Sequence, residues 1–324
     1  MAGAGRSGID RLLAARIAGQ AGLLTRSQAQ QGGFTDEAIA WRVTSGRWRT
    51  IHPGVYSTTP GRDDWEMRAV AALLCVGAPA ALCGASAASA WGLVPEPSGA
   101  VSVVVPAGRR GTSRPGIEVT RSRQMLGRVH PSAWPHRVTA EHAVLDLATG
   151  RTLDRVVALV AQACQKRLVS TESLAAALAG RPQQASRGLL LEALTGVGLG
   201  VESPAEWRYI RDVERAHGLP QGRRQDPGPR STRRDNAYAE VKLLVEVDGR
   251  LGHEGWVARQ RDGRRDRAFA RDGWLTVRVC WPDVALTPCE LAAELVDILR
   301  ERGWRGTPRA CRRRGCLLAP RIVA

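Results

Sequence analysis

The stretch Arg233–His253 reads RRDNAYAEVKLLVEVDGRLGH, and its pattern predicts the fold of the last third of the chain. Two segments within it, Arg233–Tyr238 and Lys242–Asp248, have the residue pattern of β-strands. Only a short turn separates the two segments, so we expect them to pair as an antiparallel hairpin. The second segment is apolar enough for a strand in the middle of a sheet.

The register of this hairpin determines which acidic residues face one another. A tip between Glu240 and Val241 places Asp235 directly opposite Glu246, and residues paired in this way have Cβ atoms about 4.5–5.5 Å apart. Asp248 follows Glu246 by two positions, so both side chains point to the same face of the strand. The spacing therefore predicts three carboxylates on one face.

Two interpretations of these three acids stay open. Three close negative charges repel and are costly to desolvate unless a cation neutralises them, and oxygen ligands favour Mg²⁺ or Mn²⁺. Asp235, Glu246 and Asp248 would then be metal ligands. Alternatively, the acids face solvent and pair with arginines, because such alternation is typical of any half-exposed strand.

Upstream of the hairpin, the motif Ser203–Glu206 has the pattern of a helix start. Ser203 is placed to cap, Pro204 occupies the first helical position, and Glu206 stands at the capping-box position. We expect this helix to run to about His217 and to be followed by an Arg-rich loop.

The segment 203–278 resembles the nuclease-like family of unknown function that is related to very-short-patch-repair endonucleases, within the PD-(D/E)XK superfamily. The matching motifs are SPAE (203–206), HGLPQGRRQ (217–225), RRDNAY (233–238), LLVEVDGRLGH (243–253), RDGRRD (261–266) and DGWLTVRV (272–279). The resemblance implies a restriction-endonuclease-like α/β/α domain.

The resemblance also implies catalytic roles. Glu206 corresponds to the acid on the first helix, and Asp235 to the first acid on the strands. Glu246 and Asp248 occupy the acidic doublet, with Asp248 where the superfamily usually has a Lys that positions the attacking water. His253 or a metal-bound water would then take over that task, as general base or leaving-group acid, although a His in this setting is also typical of a surface loop.

A further basic residue, Arg265, is a candidate phosphate contact in this resemblance, and a solvated helix face is the alternative for it. The mechanism implied is hydrolysis of a phosphodiester with one or two Mg²⁺ or Mn²⁺ ions. The missing Lys also leaves open a degenerate domain that binds nucleic acid and does not cleave it.

The first sixty residues predict two short helices, a third helix and a β-hairpin. Thr25 and Thr35 are placed to cap the second and third helices. Together with the hairpin GRWRTIHPGVY (46–56), these elements resemble the winged-helix domain of abortive-infection type IV antitoxins. The resemblance implies that the helix 35–45 reads the major groove. The DNA contacts it implies are Arg42, Arg47 and Arg49.

Composition supports a polyanionic partner. Lys and Arg number 47 against 31 Asp and Glu, a formal net charge of +16, and each cation near a phosphate gains from counterion release. The alternative is a genome-wide bias toward Arg. No apolar run approaches the ~20 residues of a membrane span, so we expect no membrane partner. The odd number and irregular spacing of the cysteines favour a reduced, cytoplasmic compartment.

The seven cysteines are irregularly spaced, which does not indicate a disulfide framework. Cys311 and Cys316 bracket three arginines near the C-terminus. Without His or Cys neighbours in the sequence they make a weak zinc motif, so we expect them to lie in a free tail.

These observations predict an α/β multidomain protein. We expect a winged helix-turn-helix domain (1–60), an Ala-rich, antitoxin-like α+β domain (64–180), a nuclease-like domain (188–304) and a disordered basic tail (305–324). The predicted function is DNA binding with metal-dependent endonuclease activity. The alternative is an antitoxin or transcriptional regulator whose nuclease-like domain is inactive, with a cognate toxin or a second copy of the chain as partner.

Overall fold

The computed structural model describes residues 9–109, 113–227, 233–248, 267 and 269–319, with the backbone alone for 225–227 and 233–235. Contacts divide the chain into two compact units. The first consists of Met1–Thr149 and Lys166–Ala185, and the second of Gly150–Gln165 and Ser186–Ala324. The fold is mixed α/β, with several small sheets, as the sequence predicts at that level.

The N-terminal part of the first unit combines three helices with a three-stranded antiparallel sheet. Its elements are α1 (Arg11–Gly19), β1 (Leu23–Thr25), α2 (Arg26–Gln31), α3 (Asp36–Thr44), β2 (Arg49–His52) and β3 (Val55–Ser57), with strand order β1-β3-β2. Both predicted caps are confirmed: Thr25 forms a capping box on α2, and the Thr35 hydroxyl accepts from the Ala38 amide at 3.2 Å.

The rest of the first unit packs helices against a second three-stranded sheet. Its elements are α4 (Trp65–Val76), β4 (Ala81–Leu82), α5 (Gly84–Ala90), β5 (Val101–Pro106), β6 (Ile117–Ser122), α6 (Ala140–Ala148) and α8 (Thr171–Ala179). Strand β5 pairs in parallel with β6 and antiparallel with β4. The intervening helix α7 (Leu153–Gln165) belongs to the second unit, so the contacts do not follow the predicted domain 64–180 at this point.

The second unit contains a four-stranded mixed sheet and the helices that cover it. Its remaining elements are α9 (Arg187–Gly198), α10 (Pro204–Arg208) with a π-helical continuation (Tyr209–Arg215), β7 (Arg223–Pro227), β8 (Arg233–Tyr238), β9 (Leu243–Asp248), β10 (Leu275–Cys280), α11 (Trp281–Ala285) and α12 (Pro288–Glu301). The strand order is β10-β9-β8-β7. Strand β10 runs parallel to β9, and the other pairs are antiparallel.

The predicted hairpin register is confirmed between β8 and β9. The paired positions are Asn236 with Val245, Ala237 with Leu244 and Tyr238 with Leu243. Strand β9 has a neighbour on both sides, and all its residues except the last are buried. This explains its nearly continuous apolar sequence, which is typical of strands covered on both faces.

The C-terminal segment, expected to be a disordered basic tail over 305–324, contains no helix or strand among its described residues. As far as Ala319, it lies against the helix that ends near His217: the Arg309 amide donates to the His217 carbonyl at 2.8 Å. Cys316 is buried. The interval 181–187, between the second and third predicted domains, contains a boundary between the units and the buried Arg181. None of the helices in the described part of the chain is long and apolar enough to cross a membrane.

The close approach of α9 to Trp207 gives a test of the packing in the second unit. A Cβ added at Gly196 would lie 2.7 Å from Cε3 of the buried Trp207 ring. Because a packed indole cannot move aside cheaply, we expect Gly196→Ala to lower the free energy of unfolding by about 1–3 kcal/mol, measured by urea denaturation.

The matched control is Gly198→Ala, at the end of the same helix, where the added methyl group meets nothing within 4 Å. It should be neutral, or stabilising by at most about 1 kcal/mol, because Ala favours the helix. Equal stability of the two variants would contradict this packing.

Candidate functional site

Glu246 is a buried carboxylate in the middle of the four-stranded sheet. It lies on β9 with 8% of its surface exposed, and its backbone partner on β10 is Arg278. The Arg278 Nε donates to Glu246 Oε2 at 3.3 Å, and the Arg278 side chain is 41% exposed. A buried acid needs such a partner, because an uncompensated charge in the interior is strongly destabilising.

The other two acids of the predicted cluster lie on the same pair of strands. Asp248 ends β9 and is exposed, two positions after Glu246 and therefore on the same face. Asp235 belongs to β8, and extending the β8–β9 register by one residue aligns its backbone with that of Glu246. The Asp235 side chain lies outside the described residues, so the three-acid cluster stays a prediction.

Glu206 is engaged at the start of α10, which lies against β9. Its Oε1 accepts from the Ser203 hydroxyl at 2.7 Å, and its Oε2 accepts from the Glu202 amide at 3.0 Å. Ser203 caps the Glu206 amide, and Pro204 stands at the first helical position, as predicted. The remaining candidates of this domain, His253 and Arg265, lie outside the described residues.

A second buried acid, Glu214, organises a polar network that the sequence did not indicate. It is fully buried in the π-helical segment and accepts from the Tyr238 hydroxyl at 3.2 Å and the Gly222 amide at 2.7 Å. Arg224 pairs with it and also donates to Asn236. The network joins the helix to β7 and β8, the strand of Asp235.

Two phenols complete this network. The hydroxyls of Tyr209 and Tyr238 lie 2.6 Å apart, and burial raises the pKa of both groups. They stay protonated at neutral pH and can donate to acceptors such as Glu214. No local pattern points to this set, because its members come from three separate segments.

The predicted DNA contacts of the N-terminal region have three different environments. Arg42 stacks 4.3 Å above the Phe34 ring, and Arg49 donates to the Arg62 carbonyl at 2.7 Å. Arg47 is exposed, with its guanidinium 4.7 Å from the Trp41 ring. Arg47 is therefore the most accessible cation of the three.

The two tryptophans beside these arginines also differ. Trp48 is buried, where it packs on Phe34 and Tyr56. Trp41 is instead 51% exposed on α3. Trp41 and Arg47 thus form an exposed cation–aromatic pair next to the hairpin.

The Ala-rich part of the first unit contains a cavity of about 230 Å³ beside Cys83. Asp146 lies at its wall, accepting from Arg181 at 2.7 Å and from the Gly84 amide at 3.2 Å. Burial raises the pKa of the Cys83 thiol to about 12, so this thiol is not a nucleophile at neutral pH. Among the described residues that line this cavity, none form a recognisable catalytic constellation.

The structure also brings together a histidine and three cysteines that come from three separate segments of the sequence. One ligand atom from each lies within 4.8 Å of the others, in the set His217, Cys289, Cys311 and Cys316. The spacing of Cys311 and Cys316 was the only local signal. Their partners lie in two distant segments, which is why a free tail was the stronger expectation.

Comparisons with known proteins give little guidance. No protein-family model matches the chain, and no curated protein matches it. Among solved structures, the Rv2827c protein from Mycobacterium tuberculosis is similar at 18% identity, over 63% of this chain and 83% of that one. The TM-score of that match is 0.38.

The Glu214 network predicts a large effect of a single truncation. Glu214→Ala leaves Arg224, the Tyr238 hydroxyl and the Gly222 amide without their buried acceptor. We expect a loss of about 3–5 kcal/mol in the free energy of unfolding, because an unpaired buried charge remains. Urea denaturation measures this change in the free energy of unfolding.

Glu294→Ala serves as the control, since Glu294 is an exposed acid on α12. Surface substitutions of this kind stay within about 0.5 kcal/mol. A Glu214→Ala variant as stable as Glu294→Ala would show that the network contributes no stability.

Proposed function

We propose that the chain binds double-stranded DNA and that its second unit is a metal-dependent endonuclease-like domain that hydrolyses phosphodiester bonds. The observation that carries this proposal is the arrangement of strands β8 and β9. Their register aligns the Asp235 position with Glu246, and Asp248 follows on the same face. Acids on paired neighbouring strands are what the resemblance to the PD-(D/E)XK superfamily implies.

The residues of this face fit a hard cation. Asp235, Glu246 and Asp248 offer only carboxylate oxygens, the ligands that Mg²⁺ and Mn²⁺ prefer. Such an ion would lower the pKa of a bound water and neutralise charge on the phosphate. Asp248 is exposed at the strand end, where a phosphate group can approach it.

Arg278 supplies a positive charge next to these acids. The acidic doublet has Asp248 where the related enzymes usually have a Lys. The Arg278 guanidinium reaches Glu246 from the neighbouring strand and is partly exposed. In this position it can contact a phosphate oxygen and hold it near the acids, because guanidinium groups pair well with phosphates.

The same contacts also favour a second candidate function, an antitoxin or regulator whose nuclease-like domain is inactive. Glu246 already has a cationic partner without any metal, and Glu206 is held by two hydrogen bonds at its helix start. In this case the domain contributes binding surface for nucleic acid, a cognate toxin or a second copy of the chain.

DNA recognition is proposed for the N-terminal elements. Their order, three helices followed by the β2–β3 hairpin, supports a winged helix-turn-helix domain. Helix α3 would be the recognition helix, and exposed Arg47 lies between it and the hairpin. Arg42 and Arg49 keep their intradomain contacts and would mainly shape this surface.

Plasmid cleavage separates the two candidate functions. We expect the wild-type protein to nick or linearise plasmid DNA with Mg²⁺ or Mn²⁺, followed by gel electrophoresis. Asp235→Ala and Glu246→Gln should each lower the cleavage rate by at least about a hundredfold, because the metal loses a carboxylate ligand.

Glu240→Gln is the matched control, because it removes an exposed acid at the tip of the same hairpin. It should cleave as the wild type does. Wild type and Asp235→Ala that are both inert, while both still bind DNA, would reject the enzymatic proposal and support the binding protein.

Salt dependence tests the role of Arg47. If Arg47 contacts a phosphate, Arg47→Ala should weaken binding to unrelated duplexes to a similar degree. It should also reduce the slope of log K against log salt by about 1, because one fewer counterion is released. Fluorescence anisotropy over a salt series measures both quantities.

Arg11→Ala is the control, since Arg11 is an exposed cation on α1. Its slope should match that of the wild type. An unchanged slope for Arg47→Ala would remove this residue from the DNA interface.

A further inference from the structure

A histidine–cysteine cluster in the second unit has the geometry of a metal site. His217, Cys289, Cys311 and Cys316 bring their ligand atoms within 4.8 Å of one another. In a tetrahedral zinc site, with Zn–S about 2.3 Å and Zn–N about 2.0–2.1 Å, neighbouring ligand atoms are about 3.5–3.8 Å apart. The sulfurs of Cys289 and Cys311 are 3.5 Å apart, which fits that edge.

The histidine is oriented for metal binding. His217 is fully buried, and its Nδ1 lies 2.9 Å from the Val213 carbonyl oxygen, which can only accept. Nδ1 therefore carries the proton, and Nε2 has a free lone pair. Nε2 is buried and has no hydrogen-bond partner in the described part of the chain. A carbonyl on one imidazole nitrogen and a metal on the other is the usual arrangement of histidine ligands.

One of the sulfurs also accepts a backbone hydrogen bond, as thiolate ligands of metal ions commonly do. The Arg313 amide donates to Cys311 Sγ at 3.4 Å. Arg312, Arg313 and Arg314 separate Cys311 from Cys316. Three thiolates, a neutral imidazole and Zn²⁺ leave a net charge of −1, next to this basic run of the sequence.

Apolar burial contributes little to holding the tail around these cysteines in place. Residues 305–319 form no helix or strand, and Cys316 is the only buried residue among them. Ordering such a segment costs conformational entropy that this little apolar burial does not offset. The anchoring bonds, from Arg309 to the carbonyls of His217 and Arg215, lie next to the cluster.

We propose that His217, Cys289, Cys311 and Cys316 bind one structural zinc ion. Four protein ligands close the coordination sphere and leave no position for water, which distinguishes a structural from a catalytic zinc. The ion cross-links three segments: the end of the π-helical region, the first turn of α12 and the C-terminal tail. This site uses nitrogen and sulfur ligands and is independent of the carboxylates on β8 and β9.

Metal content tests the proposal directly. The full chain, purified under reducing conditions, should contain about one zinc per molecule, measured by mass spectrometry of the metal. Cys289→Ser and Cys316→Ser should each lower that content by at least about tenfold. Cys280→Ser should retain it, because Cys280 is an exposed cysteine outside the cluster.

Cobalt substitution gives a reading on the wild-type chain if the serine variants fail to fold. Cobalt(II) should give the intense visible bands of a tetrahedral site and the charge-transfer band of thiolate ligands, both abolished by added zinc. Wild-type protein without zinc and without these bands would overturn the proposal. So would a Cys289–Cys311 disulfide in the freshly purified protein, or a Cys316→Ser variant with as much zinc as Cys280→Ser.

Proteolysis reports the structural consequence. Trypsin should cut at Arg312, Arg313 and Arg314 much faster after a strong chelator has removed the metal. Added zinc should restore resistance. Equal cleavage rates with and without the chelator would show that no metal holds the tail.

Discussion

The packing of the second unit depends on compensating one charged side chain that lies inside a strand with neighbours on both sides. Strand β9 pairs with β8 and β10, and its residues up to Val247 are buried. Glu246 stands in this apolar run and requires a compensating cation, because desolvating a carboxylate alone is strongly unfavourable. Arg278 can provide it because the parallel register of β9 and β10 places the two residues side by side. Compensation of this acid therefore depends on the sheet topology, which makes β9 and β10 parallel neighbours.

Local features of the fold could be predicted from the sequence. Thr25, Thr35 and Ser203 cap the helices that follow them, because a side-chain oxygen bonds an amide only three residues away. The β8–β9 register was also predictable, since a short turn leaves few ways to align two strands. For the candidate site, this register supplied the positions of Glu246 and Asp248, while the contacts of Arg278 required a strand from further along the chain.

Features that depend on distant segments could not be predicted in this way. Glu214 meets Tyr238 and Arg224 only after the helix has packed on the sheet, so no spacing in the sequence relates them. His217 approaches the tail cysteines in the same manner. For the arginines of the first unit, the charge could be predicted but the contacts could not. Their number indicated a basic surface, but the stacking of Arg42 on Phe34 depends on which aromatic rings lie within reach.

The helix that starts at Pro204 connects these features and bears on which acids can share a metal. At the start of this helix, both carboxylate oxygens of Glu206 accept hydrogen bonds. The π-helical part contributes Glu214 to the network with β8, and His217 lies near the end of the helix. Turning the Glu206 carboxylate toward β9 would break two hydrogen bonds at the helix start. Because the helix is also held by contacts further along its length, it cannot shift as a whole to replace those two hydrogen bonds. For the proposed metal site, this geometry therefore favours the strand acids as ligands, with Glu206 acting through the position of α10.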